Sequence, residues 1–141
     1  MEATKEPKEI KKTEIELFII NKVRALREER NVGQKRLSME LKLSSSYIGN
    51  AENPYNKAKY NFNHINEIAR FFNVPFSYFF PATHLEKDCV EEYLKIHPKL
   101  KANYEKMMKK HEEKALKKQE EQERKKKEKA AAKKKATSKK K

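Results

Sequence analysis

The chain has 141 residues and a formal net charge of +14; about 40% of its residues are charged and 36% are hydrophobic. This length predicts one small domain with an appendage, and the charge indicates a polyanionic partner such as nucleic acid. A single cysteine, Cys89, excludes an internal disulfide and indicates a reducing compartment. No apolar run reaches the roughly 20 residues that span a bilayer. We therefore expect a soluble, cytoplasmic protein with no membrane partner.

The N-terminal residues predict a flexible arm followed by a first helix. Residues 1–12 mix lysine and glutamate without an apolar period, which is typical of a disordered segment. Thr13 and Glu16 have the spacing of a helix capping box. The helix that follows has a core-facing stripe formed by Ile15, Ile19, Val23 and Leu26. Phe18 and Ile20 lie beside this stripe, so we expect them to meet a later helix or a partner chain.

Residues 34–52 read QKRLSMELKLSSSYIGNAE and predict two short helices joined by a tight turn. The first carries Leu37 and Leu41 on one face. The second is expected over residues 44–52 with Ser44 as its N-cap. Ile48 and Ala51 face the core in this arrangement, and the outward residues are Ser45, Ser46, Gly49 and Asn50. A helix with a short, polar, uncharged outer face suits the floor of a DNA major groove.

These residues resemble the helix-turn-helix domain of the lambda-repressor, Cro and xenobiotic-response-element regulators. The matching features are Gln34, Leu37, the serines at 44–46, the pair Tyr47-Ile48, and Glu52. The resemblance covers about residues 14–81. It implies an all-α, five-helix lambda-repressor-like DNA-binding domain and a bacterial or phage regulator that represses transcription at the nucleoid. It also implies double-stranded DNA as the partner and binding as a homodimer. Lys42 stands where the family has glycine, so we expect it to be left-handed.

Candidate contacts follow from this resemblance and from the local residue types. The resemblance implies base contacts by Ser45, Ser46 and Asn50, a DNA-backbone contact by Gln34, and a structural pair of Arg27 with Glu52. Tyr47 is a further backbone candidate that we expect to be at least half packed. The loop after the second helix is polar and basic, and its backbone candidates are Tyr55, Asn56, Lys57 and Lys59.

The remaining chain predicts more helices and then a basic tail. A fourth helix over about residues 62–72 would bury Phe62, Ile65, Ile68, Ala69 and Phe72, and a short, mostly buried fifth helix would cover residues 76–80. Residues 82–117 predict a helical extension, with a helix over residues 85–94 and a thin apolar stripe from Leu100 to Ala115. Residues 118–141 form a basic tail that is partly helical or disordered, with disorder in the last dozen residues. Residues 101–141 hold eighteen lysines and arginines against seven glutamates, so the tail favours polyanions.

Other functions stay open at this point. A nonspecific or architectural nucleic-acid binder driven by the lysine-rich tail keeps the same fold, and so does an adaptor that docks proteins on the helical bundle. An antitoxin-type autorepressor, with a toxin as protein partner, is a variant of the regulator. We expect no enzyme, no cofactor and no metal, because the sequence contains no carboxylate pair, metal-spaced cluster or glycine-rich phosphate loop.

Overall fold

The computed structural model describes residues 8–138, and within that range the structure is all-helical, which confirms the predicted fold class. The α-helices are α1 (Glu14–Glu29), α2 (Gln34–Glu40), α3 (Tyr47–Glu52), α4 (Phe62–Phe72), α5 (Cys89–Ile96) and α6 (Pro98–Ser138), with a short 3₁₀ helix at Phe76–Phe79 between α4 and α5. The chain divides into two compact units, one ending at His97 and the other beginning at Pro98. The expectations for residues 1–7 and 139–141 lie outside the described residues.

Helix α1 begins and faces the core as its sequence predicts. The Thr13 hydroxyl accepts a hydrogen bond from the Glu16 amide, and the Glu16 carboxylate accepts one from the Thr13 amide, which completes the capping box. Val23 and Leu26 are buried. Ile20 is also fully buried and Phe18 is half-buried, so Ile20 packs within the domain, which is the first of the two alternatives expected for it. Helix α1 contacts both α3 and the 3₁₀ helix.

The core of the first unit lies between α1, α2, α3, α4 and the 3₁₀ helix. Its largest fully buried apolar side chains are Phe79, Ile20, Leu37, Ile48, Ile68 and Val23. Each such side chain contributes about 1.5–3 kcal/mol by leaving water. Leu41 and Val74 pack against this cluster from its edge. The small core therefore fixes α2 and α3 against the rest of the domain.

Helix α4 has the predicted bounds, but its first residue does not join the core. Asn61 caps it with a reciprocal capping box to His64, and left-handed Asn73 (φ 53°) follows its last residue. Phe62 is 77% exposed, so its predicted burial was wrong. The core ends at Ile65, one turn further along α4. Phe62 lies one turn before Ile65 and stays exposed among the described residues, although its spacing matches the buried face of α4.

The aromatic segment after α4 is only partly buried. Residues Phe76–Phe79 form a 3₁₀ helix, and Phe79 alone is fully buried. Phe76 and Tyr78 stay exposed, so the expectation of a mostly buried helix was wrong. The Phe76 ring packs against Phe80 with centroids 5.0 Å apart, and the Lys22 ammonium lies 5.3 Å from the Tyr78 ring. The rings of Phe76 and Tyr78 thus lie at the surface of the domain.

Helix α5 is shorter than predicted and is attached to the start of α1 by polar contacts. It begins at Cys89, after the cap Asp88, and ends at Ile96, whereas the sequence indicated a helix over residues 85–94. The Glu92 carboxylate accepts a hydrogen bond from the Glu14 amide and pairs with the Lys87 ammonium at 2.7 Å. These contacts connect α5 to the first turn of α1.

Helix α6 forms the second unit by itself. Pro98 occupies its first position, where the missing amide hydrogen costs nothing. Every side chain from Pro98 to Thr137 is exposed. The helix continues to Ser138, so the disorder predicted for the last dozen residues was wrong for the part described. Strong helix formers and exposed i,i+4 pairs such as Arg124–Glu128 favour this conformation.

Candidate nucleic-acid interface

Helices α2 and α3 form a helix-turn-helix whose second helix is shorter than predicted. Helix α3 begins at Tyr47, and Ser46 precedes it without a side-chain capping bond. The expectation of a helix over residues 44–52 with Ser44 as its N-cap was therefore wrong. Ser44 contributes its backbone oxygen, which accepts from the Tyr47 amide at 3.0 Å. Ser45 and Ser46 lie in the turn that leads into α3.

Ser38 explains why α3 starts later and needs no serine cap. Its side chain is fully buried, and its hydroxyl accepts from the Ile48 amide at 3.1 Å while donating to the Gln34 carbonyl at 2.9 Å. The Ile48 amide near the start of α3 thus finds its hydrogen-bond acceptor on α2. The hydroxyl joins the two helices of the motif directly. Sequence reasoning did not single out Ser38, because a lone serine within a short helix gives no signal of burial.

The turn between the two helices contains a left-handed lysine. Lys42 has φ 56°, as its position opposite the family's glycine predicted. The Lys42 amide donates to Met39, and the Leu43 amide donates to Ser38 at 3.0 Å. This pair of bonds is a Schellman motif, which usually has glycine at the left-handed position. Lysine at this position adds strain of about 1–2 kcal/mol, which the surrounding helices offset.

The structure brings Arg27 and Glu52 together in a buried ion pair. Arg27 Nε and Nη2 donate to the two Glu52 carboxylate oxygens at 2.8 and 3.0 Å, and Arg27 Nη1 donates to the Val32 carbonyl at 2.9 Å. Gln34 Nε2 donates to the same carboxylate at 2.6 Å. Because this network joins α1, α2 and the end of α3, it sets the direction in which α3 leaves the core.

Gly49 lies where α3 approaches the Gln34 side chain most closely. A methyl group built on Gly49 would lie 3.1 Å from Gln34 Oε1. A larger residue here would push against the same side chain that bonds to Glu52. The glycine therefore permits the close packing of α2 and α3, while its φ stays negative.

Lys12 holds the other end of α3, and sequence reasoning missed it. The side chain is 2% exposed. Its ammonium donates to the carbonyls of Asn50 at 3.2 Å, Asn53 at 2.6 Å and Ala51. These are the C-terminal carbonyls that a helix leaves unpaired, at the end where its dipole favours a cation. The available signal was the adjacent cap Thr13, since a residue directly before a formed cap cannot belong to a free arm.

Burial lowers the pKa of Lys12 to about 8 from the usual 10.5, and the nearby charge of Glu16 opposes that shift. The Lys11 amide also donates to the Pro54 carbonyl at 2.9 Å. Residues 11 and 12 are thus docked on α3 and on the loop after it. The flexible arm expected over residues 1–12 was wrong for these two positions.

The residues predicted to contact bases are exposed on α3 and on the turn that precedes it. Ile48 and Ala51 are fully buried, while Ser45, Ser46 and Asn50 are exposed. Tyr47 differs from these three. Its hydroxyl donates to the Lys59 carbonyl, and its ring meets the edge of His64 with centroids 5.5 Å apart. Tyr47 is thus half-buried, and its polar end is already engaged within the chain.

The loop after α3 contains exposed and engaged candidates side by side. Tyr55 and Lys57 are exposed. The Asn56 side chain accepts from the Ala58 amide at 2.9 Å and so shapes the loop. The Lys59 ammonium pairs with Glu16 at 2.7 Å, which directs it toward the domain. Among the six backbone candidates, four side chains therefore have hydrogen-bond or ion-pair partners within the chain, namely those of Gln34, Tyr47, Asn56 and Lys59.

The N-terminal segment adds basic groups beside this loop. The Lys8 ammonium lies 5.9 Å from the centre of the exposed Tyr55 ring. Lys11 is exposed and is held next to Pro54 by its backbone. Three basic residues thus lie near the C-terminal end of α3, namely Lys8, Lys11 and Lys57. The mixed charge of residues 1–12 concealed this grouping in the sequence.

Comparison with known proteins agrees with this geometry. Residues 20–83 match the sequence model of the family described as a helix-turn-helix domain. The match supports a helix-turn-helix DNA-binding family for this part of the chain, and such a domain implies DNA binding. No curated protein and no solved structure gave a significant match.

Two further properties of residues 8–138 concern other partners. No helix in this range combines the length and the hydropathy that a membrane crossing requires. Over the same range, no group of three or more histidine, cysteine, aspartate or glutamate residues could hold a metal ion.

Proposed function

We propose that this protein is a transcriptional regulator of the lambda-repressor, Cro and xenobiotic-response-element type, and that it places α3 and the preceding serine turn in the DNA major groove. The proposal is supported by the helix-turn-helix match, by the arrangement of α2 and α3, and by the polar outer surface of α3. In helix-turn-helix proteins the second helix enters the groove while the first crosses the backbone.

The observation that carries the proposal is a short helix that is exposed on one face and braced at its end. Helix α3 has six residues and a length of about 9 Å, which a major groove about 12 Å wide admits. Glu52 attaches it to Arg27 and Gln34, and Lys12 holds its last carbonyls. A reading helix needs such rigidity, because a small displacement changes every contact to the base edges.

Direct readout by this surface would be modest. Asn50 can bind adenine through two hydrogen bonds, whereas the hydroxyls of Ser45 and Ser46 accept several base edges. The exposed face of α3 carries no arginine or glutamine, which are strong discriminators. We therefore expect Asn50 to contribute more to sequence preference than either serine does.

Backbone contacts would come from the loop after α3 and from the N-terminal segment. We propose Tyr55, Asn56 and Lys57 for this role, and we add Lys8 and Lys11 because they lie beside that loop. Such contacts fix the position of the protein along the duplex without reading its sequence. Gln34, Tyr47 and Lys59 would act indirectly, by holding α3 and its loop in place.

The same proposal includes a homodimer and repression of transcription. Family members bind paired half-sites about one helical turn apart, so a palindromic target is expected. Exposed apolar side chains such as Phe76, Tyr78 and Met107 are candidates for the dimer contact. Repression would follow if the dimer covers a promoter, and a reporter gene placed behind the selected site tests the direction of regulation.

The test begins with selection of bound duplexes from a random-sequence pool. We expect an enriched palindrome with one adenine contact per half-site. The variant Asn50→Ala should relax the preference at that base pair by about 1–3 kcal/mol. Asn66→Ala removes an exposed asparagine from α4 and serves as the matched control, because it should leave the selected sequence unchanged.

Three results would contradict the proposal. An unchanged sequence profile for Asn50→Ala would remove Asn50 from the reading surface. A pool that shows no enrichment at all, with retained affinity for random duplex, would favour the architectural alternative. If the parent chain binds no duplex at all, the alternative function as a protein-interaction adaptor would be favoured.

A further inference from the structure

Helix α6 distributes its charges unevenly around its axis. Ten basic residues lie between positions 117 and 135. At 100° per residue, half of them fall within an arc of about 100°. These five are Lys118, Lys125, Lys126, Lys129 and Lys133, and no glutamate lies in that arc anywhere along α6. We call this arc the acid-free face.

The rest of the same stretch is close to neutral. The other five basic residues are Lys117, Arg124, Lys127, Lys134 and Lys135, and they share their side of the helix with Glu120, Glu121, Glu123 and Glu128. Opposite charges there lower the local field, as in the pair between Arg124 and Glu128. On the acid-free face, the structure records only one ion pair, from Lys125 to Glu121 at 3.3 Å across its border. The net charge of residues 117–135 thus resides mainly on one side of the helix.

The acid-free face matches a duplex in length. From Lys118 to Lys133 the helix rises about 22 Å. Counting both strands, a duplex carries one phosphate per about 1.7 Å of its axis, so about thirteen phosphates lie within that distance. The face is therefore long enough to meet several phosphates, from either strand, on the side of the duplex that it approaches. The opposite side of α6 lies about 10 Å farther away, beyond the Debye length of about 8 Å at physiological salt.

The composition of this face favours nucleic acid over a lipid surface. A helix that lies in a membrane interface needs large apolar side chains opposite its charges. Between Lys118 and Lys133, neither the acid-free face nor the rest of the helix carries a large apolar side chain. The large apolar side chains of α6 all precede Lys118, and they are Leu100, Tyr104, Met107, Met108 and Leu116.

We propose that the acid-free face of α6 binds the phosphate backbone of duplex DNA independently of sequence. This inference rests on the DNA-binding function proposed above and assigns a second, separate contact surface to the same ligand. In this proposal α3 discriminates among DNA sequences, and the acid-free face of α6 raises the affinity for every sequence.

The experiment compares two full-length variants that lose the same number of positive charges. One replaces the five lysines of the acid-free face by glutamine, and the other replaces Lys117, Arg124, Lys127, Lys134 and Lys135 by glutamine. Each variant loses one of the two i,i+4 ion pairs named above, and glutamine is nearly as good a helix former as lysine. Circular dichroism checks that both keep the helix content of the parent chain.

Binding to random-sequence duplex is measured at several salt concentrations. Each phosphate contact contributes about −0.9 to the slope of log affinity against log salt. If each of the five lysines contacts a phosphate, the acid-free variant should lose about 4.5 from the magnitude of that slope, whereas the control should lose about one or less. Equal losses in the two variants would mean that net charge alone governs binding, and this result would overturn the proposal.

Two further measurements keep the result interpretable. Vesicles containing anionic lipid and a single-stranded RNA are tested with the same variants, and loss of either interaction with an unchanged duplex slope would also overturn the proposal. Selection from the random pool separates this inference from the role of α3. The acid-free variant should keep the sequence preference of the parent chain, while Asn50→Ala should keep its salt slope.

Discussion

Charged residues have opposite roles in the two units of this molecule. In the unit ending at His97, Arg27, Glu52 and Lys12 are buried and each has at least two polar partners. In α6, ion pairs such as Lys125–Glu121 are exposed and longer, at 3.3–3.9 Å. A buried ion pair fixes the arrangement of the elements that it joins, because removing one partner leaves the other charge buried and unpaired. Exposed charges contribute little to stability and act through their field.

The largest expected effect comes from Glu52→Ala. It would leave Arg27 buried without its carboxylate and should lower the free energy of unfolding by about 3–5 kcal/mol. Glu121→Ala in α6 breaks an exposed ion pair and should change the free energy of unfolding by only a few tenths of a kcal/mol. Urea denaturation followed by tyrosine fluorescence measures both. Similar losses for the two variants would remove the distinction between the units.

Lys12→Met should have the next largest effect. The methionine fills similar space but leaves the carbonyls of Ala51 and Asn53 without their donor, which should cost about 1–3 kcal/mol of unfolding free energy. Lys11→Met is the matched control, because that neighbouring side chain is exposed. If both variants unfold at the same urea concentration, the ammonium does not hold α3.

The pH dependence of unfolding tests the same residue. Folded Lys12 releases its proton near pH 8, whereas the unfolded chain keeps it until about 10.5. Between these values the unfolded state holds more protons, so the Lys12 contribution makes the free energy of unfolding rise with pH. The rise should be smaller in Lys12→Met than in the parent chain. A titration of the Lys12 ε-carbon by NMR should give the midpoint near 8.

The smallest effect is a gain of stability at the turn. Lys42→Gly relieves the left-handed strain and should raise the free energy of unfolding by about 0.5–1 kcal/mol, after the added entropy of the unfolded glycine. Asn31→Gly is the control at another left-handed position, where asparagine is already tolerated and little change is expected. A destabilised Lys42→Gly would mean that the lysine side chain makes a contribution of its own.

The sequence predicted those parts of the fold that depend on local signals. The capping box of Thr13 and Glu16 located the start of α1, and the apolar spacing of residues 62–72 predicted the bounds of α4. Helical spacing identified Leu37, Ile48 and Ile68 as core residues. These signals act over a few residues, so one chain without its structure is sufficient to find them.

The failures concern contacts between distant residues. Lys12 meets α3 across 38 to 41 positions of the chain, and Ser38 reaches Ile48 from the preceding helix. Helical spacing does not show how far along a helix the core extends. Phe62 was therefore expected to be buried. For the candidate interface, spacing gave the exposure of Ser45 and Asn50. It could not show that Lys59 turns back toward Glu16.

The docked position of Lys12 has a consequence for excising this domain. The region of family similarity begins at Ile20, in the middle of α1, and ends at residue 83. A fragment cut to those limits would lose Lys12, the capping box of α1, and helix α5 with its link to Glu14. We expect a fragment over residues 11–97 to fold and the similarity-based one to fail. In this chain, the residues that keep the motif in shape extend beyond the stretch by which it is recognised.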